Sequence, residues 1–271
     1  MDYDYFVSVL QRLEQQYHKM ASHFGAPVPQ RIITKQVEGF WFRYSVQSDT
    51  LLCFLKGVKL ISTLNAALLL LRAGYVQECG ALFRIASDCY TDILFFLLPR
   101  DGDKTSKDQD RFFEEFFQEE FEDPAYPLGT NQKRDNVPRK TIFASFGSLV
   151  KGHVNPSDAQ STLLTLHKAF SGYVHGAYPH IMELYGGAPA RFHMSGMENT
   201  PKQVEMATHF LTELYRAIMA TELVAMKLGL NEIRKAIRAL LVEYETKLSL
   251  KSTESPESLV RKAKKKKTED G

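Results

Sequence analysis

Cysteine is scarce in this chain, and so is anything that reads as a standard catalytic signature. The three cysteines, Cys53, Cys79 and Cys89, cannot all pair, and none stands at CxxC spacing. A disulfide framework and a cysteine-based zinc site are thereby excluded. All three sit in apolar helical sequence, where a free thiol behaves as a small hydrophobe, so a reducing cytoplasm is the expected compartment. No GxxxxGK[ST] loop, GxGxxG turn, HExxH helix or GxSxG elbow occurs, and the eight histidines are scattered without an evident ligand spacing. No cofactor and no metal are expected.

Long apolar runs are missing as well. The greasiest stretch is Leu60–Leu71, twelve residues bounded by Lys59 and Arg72, against the roughly 20 that span a bilayer. The start, Met1-Asp2-Tyr3-Asp4, is acidic and has no apolar core behind it, unlike a secretory leader. No membrane segment is expected. Charge of one sign is lacking too: 34 basic and 32 acidic side chains leave a net of +2. Residues 251–271 hold seven basic and four acidic groups, so the other 250 residues net −1 and only the tail attracts polyanions.

Helical spacing fills most of what remains. Leu10, Leu13, Tyr17, Met20 and Phe24 recur at steps of three and four, which stacks them on one face of a helix over about 3–24. Phe40, Phe42, Tyr44 and Val46 alternate as a strand would, but Trp41 interrupts them, so an aromatic extended or irregular connector is expected there. Ser48-Asp49 opens a helix over 49–73 and Gly74 closes it; a second runs over 75–98 to Pro99. Both are apolar on more than one face, and the short joint predicts a central antiparallel hairpin. Residues 101–123 net −7 yet carry Phe112, Phe113, Phe116, Phe117 and Phe121 at helical spacing. They predict a helix that either binds a partner or, as the more common case, lies on the surface with its aromatic stripe covering the core, followed by a loop over 124–138.

Further helices are predicted over 139–150 and over 157–178, the latter with Leu163, Leu166, Phe170, Val174 and Tyr178 inward. Residues 190–197 read as extended. Thr200-Pro201 caps a helix that keeps a regular stripe of seven residues from Val204 through Leu214 to Ala225, and a last one covers about 231–248. The expectation is an all-α antiparallel bundle of seven or eight helices. A single domain spans 1–250, with 1–47 packing on the 48–250 bundle, and 251–271 forms a disordered basic tail.

Two polar features interrupt the apolar helices. Arg84 and Asp88, four residues apart with Asp92 one turn on, must be desolvated together and so need internal partners or a cleft. Lys168, Ser171 and His175 share one helix face, and glycines flank the imidazole, which suits acid–base work near neutral pH. These residues carry a resemblance. Leu82-Phe83-Arg84-Ile85-Ala86-Ser87-Asp88, Tyr173-Val174-His175-Gly176 and Tyr185-Gly186-Gly187-Ala188-Pro189-Ala190-Arg191-Phe192-His193 resemble elements of bacterial helical proteins near the HEPN class (higher eukaryote and prokaryote nucleotide-binding), over roughly 50–225.

That resemblance implies an antiparallel bundle, often dimeric. It also implies metal-independent RNA cleavage of the kind found in toxin–antitoxin and phage-defence systems, which uses an R-x(4–6)-H motif. Here six residues separate Lys168 from His175, and lysine replaces the arginine, losing the bidentate fork that suits a phosphate. Two readings stay open. One is a HEPN-like protein that binds or cleaves RNA with His175, Arg84, Asp88 and Lys168 as its site. The other is a non-catalytic helical module whose partner is a second copy or another protein.

Overall fold

The computed structural model describes residues 2–33, 38–98, 104–121, 129, 134–146 and 156–248. The expected loop over 124–138 falls largely outside these residues, and the basic tail over 251–271 falls entirely outside them. Among the described residues the chain is all-α, with nine α-helices and two small two-stranded ribbons.

Helix α1 (Tyr3–Ala21) begins at Asp2, whose carboxylate accepts from the Tyr5 amide at 3.0 Å, and it buries the face that carries Leu10, Leu13, Tyr17 and Met20. Helix α2 (Asp49–Arg72) is capped by the Ser48 hydroxyl, which accepts from the Leu51 amide at 3.1 Å. Helix α3 (Val76–Phe95) returns antiparallel after Gly74. That glycine has φ +73°, and a Cβ there would fall 2.5 Å from the backbone nitrogen of Glu198. The Tyr75 amide reaches back to the Leu70 carbonyl at 2.9 Å, which closes the end of α2.

Helix α4 (Lys104–Phe117) lays Phe112 against Phe95 and Phe96 and so covers the core, as the sequence leads one to expect. Helix α5 covers Arg139–Ser145, and residues 147–150 of the helix expected over 139–150 lie outside the described residues. Helix α6 (Pro156–Val174) packs on α3 and α5, and a short α7 (Tyr178–Met182) folds back beside it. Helix α8 (Pro201–Lys227) starts at Thr200, whose hydroxyl accepts from the Gln203 amide, and α9 (Asn231–Lys247) packs along it. Helices α2, α3 and α8 touch one another and form the centre. One cluster of buried apolar side chains extends from Phe6 to Tyr244. It encloses Cys53, Cys79 and Cys89, all unpaired, whose thiols burial pushes up to about 12, 12 and 11. Among the described residues α2 alone has the length and composition to cross a membrane, and half of its most apolar stretch is buried inside the bundle.

Three local expectations need correction. The aromatic connector is the second strand of a hairpin, β1 (Val28–Ile33) with β2 (Glu38–Arg43), in a register that sets Gln30 opposite Trp41. Pro29 hides the first strand in the sequence, yet a two-stranded ribbon has a free edge where no ladder donor is needed. The extended stretch over 190–197 shrinks to β4 (Arg191–Phe192), paired with β3 (Tyr185–Gly186). Finally, Val174 and Tyr178 do not face inward: they are 50% and 76% exposed. Helix α6 stops at Val174 because Gly176 takes φ +58° and the Ala177 amide bonds the Gly172 carbonyl at 2.9 Å, which ends the inward stripe at Phe170.

Candidate functional site

The charged residues of α3 do find one another. Arg84 pairs with Asp88 one turn along, as i, i+4 spacing allows. Asp92, a further turn on, is fully buried, and it receives Lys56 Nζ from α2 at 2.7 Å and the Arg139 guanidinium from α5. Arg139 also reaches Asp88 through Nε at 3.5 Å. Three cations and two carboxylates from α2, α3 and α5 thus interlock. Burial works against the charged forms of Lys56 and Arg139, but the Asp92 carboxylate outweighs it and holds both above their ordinary values. Lys56 also lies over the rings of Phe112 and Phe116, at 5.3 and 5.1 Å from their centroids.

The histidine of this cluster is His167, not His175. The Arg84 guanidinium contacts His167 Nε2. A guanidinium only donates, so Nε2 is the acceptor and the imidazole is the neutral tautomer with its proton on Nδ1. Burial, then the nearby positive charge of Arg84, depresses its pKa below the usual histidine range. The ring stands edge-on to Phe143 at 5.7 Å. His175 lies two turns further along, just past the end of α6, and its side chain is exposed, as is that of Lys168. The structure therefore unites Arg84 and Asp88 and leaves His175 and Lys168 outside. The physical reason lies in the stripe of α6: Leu163, His167 and Phe170 follow steps of four and three, whereas Lys168 and His175 lie on the neighbouring face. His167 was legible from that spacing. Lys56 and Arg139 were not, because they enter from other helices.

A second polar knot fastens the far end of α6. The Tyr173 ring packs where Gly80 leaves room on α3, since a Cβ there would lie 2.5 Å from it. The His180 ring fills the equivalent space over Gly172, edge-on to Tyr173 at 4.3 Å. Tyr173 donates to Glu183 at 2.9 Å, and Lys202 pairs with Glu183 at 3.1 Å and with Glu205 at 2.9 Å. Gly172, one of the two glycines that flank His175, thus admits the ring of His180 of the same chain. A third buried group, Glu213 on α8, has Arg216 as its charged neighbour at 2.5 Å; burial pushes its carboxyl up to about 7.

Among the described residues no three histidine, cysteine, aspartate or glutamate side chains are placed to hold a metal ion. No family model, no curated protein and no solved structure matches the chain.

Proposed function

We propose that this chain is a non-catalytic helical interaction module, and that the charged cluster on α3 serves its architecture. The observation that carries this reading is the spent valence of the cluster. Arg84 is divided between Asp88 and His167, and Asp92 between Lys56 and Arg139, so the cations that would seize a phosphate already hold carboxylates. A paired internal network of this kind fixes how helices register. The three free, buried thiols suit a cytoplasmic setting. Function then resides on the surface, in what the bundle holds.

The test is incubation of single-stranded RNA with the full chain in the absence of added metal. No cleavage is expected, and Arg84→Ala or His167→Ala should lower stability without altering that result. Cleavage by the wild type that disappears in His175→Ala would overturn the proposal.

A HEPN-like RNA-binding reading keeps one observation in its favour. Lys168 on α6 and His175 just past its end stand seven residues apart, and both are exposed. On that reading RNA affinity falls in Lys168→Ala and His175→Ala, and both variants melt as the wild type does.

A further inference from the structure

Resting on the interaction reading, we propose that the face built by α7 and the β3–β4 ribbon is where a second copy of this chain docks, about a twofold axis. The backbone turns this short segment inside out. His180 points back onto Gly172, and Glu183 points to Tyr173 and Lys202. Ile181 and Met182 between them, and Tyr178 one turn earlier, are left facing away from the bundle. Tyr178 is 76% exposed, Ile181 45% and Met182 37%, at i, i+3 and i+4. The stripe continues through Tyr185, whose ring meets that of Phe192 at 4.9 Å. Beyond it stands Met194, 83% exposed.

Area and composition select the occupant. A fully exposed aromatic side chain offers about 150–250 Å²; with Tyr178 and Met194 mostly exposed and Tyr185, Phe192, Ile181 and Val174 about half exposed, the face approaches the ~800 Å² per partner of a standard interface. Lone apolar patches on monomers run to about 300–600 Å². Tyrosine, phenylalanine and methionine are the residues enriched at the centre of such interfaces. The aliphatic share of the face gives nucleic-acid bases little to stack on. Lys168, His175 and Arg191 are exposed and make no ion pair among the described residues, which suits the polar rim of such an interface. A twofold dimer needs one self-complementary patch, and an apolar stripe that crosses its own copy supplies it.

The experiment is light scattering after size exclusion on the full chain across a micromolar concentration series. The wild type should reach twice the 30.9 kDa chain mass. Tyr178→Asp and Met194→Asp change highly exposed side chains, so each should keep the wild-type circular dichroism and melting point. Combined, they should raise the dimer dissociation constant by about 100-fold. Phe40→Ser with Phe42→Ser, on the exposed aromatic side chains of the β1–β2 ribbon, should leave the dimer intact. A wild type that stays monomeric, a dimer untouched by the aspartates, or one broken by the hairpin pair would each overturn the proposal. So would a monomer that uses this face for oligouridylate or for anionic phosphatidylserine vesicles. The interaction reading fails separately, by metal-free RNA cleavage, whatever the mass.

Discussion

Asp92 is the residue on which most of the buried charge depends. It has no exposed surface and receives two cations from two other helices. Asp92→Ala would leave Lys56 without a counter-charge and Arg139 with only the more distant Asp88 carboxylate, and should cost about 3–5 kcal/mol in chemical denaturation. His167→Ala removes only a neutral acceptor, and the expected loss is about 1–3 kcal/mol. Glu213 gives a pH signature. Its folded pKa, about 7, lies above the ordinary carboxyl value of 4.5. Between those values the unfolded chain releases a proton that the folded chain keeps. The stabilisation from this group is therefore complete below pH 4.5 and drains away as pH rises towards 7. Glu213→Gln should remove that slope. The difference in stability between variant and wild type, followed from pH 4.5 to 8, should change by on the order of 3 kcal/mol in favour of the variant at the alkaline end.

At the scale of elements, the helices were largely legible and their partners were not. Capping at Ser48 and Thr200 and the turn at Gly74 are local chemistry, written within four residues, and they stand as read. The ribbon of β1 and β2 was missed because Pro29 argues against a strand unless one knows that its edge is free. The cluster was half legible for a similar reason. Arg84 and Asp88 announce themselves by i, i+4 spacing, but Arg139 meets Asp92 across 47 positions, which no window along the chain can see. The histidine was misassigned because flanking glycines drew the reading to His175, whereas the inward steps of α6 pass through His167. Close helix contact makes a prediction at this scale. Gly80→Ala would set a methyl group 2.5 Å from the Tyr173 ring, so α3 and α6 must separate. The expected loss is about 1–3 kcal/mol, read from the urea midpoint.

For the whole molecule, the three unpaired thiols provide a clock. Thiolate is the species that attacks a disulfide reagent, and at pH 8 burial holds all three sulfurs in the unreactive thiol form. The folded protein should be silent towards Ellman's reagent, so labelling times the opening of the structure. Cys79 lies near the closed end of the α2–α3 hairpin, its sulfur 3.4 Å from the Ala67 carbonyl, while Cys53 and Cys89 lie towards the open end. Fraying from the open end would modify those two first and Cys79 later. Because α1 and α8 also pack on this hairpin, it should open as one cooperative unit. Mass spectrometry during labelling should then find the unmodified and triply modified chains exchanging directly, with one rate shared by all three sulfurs.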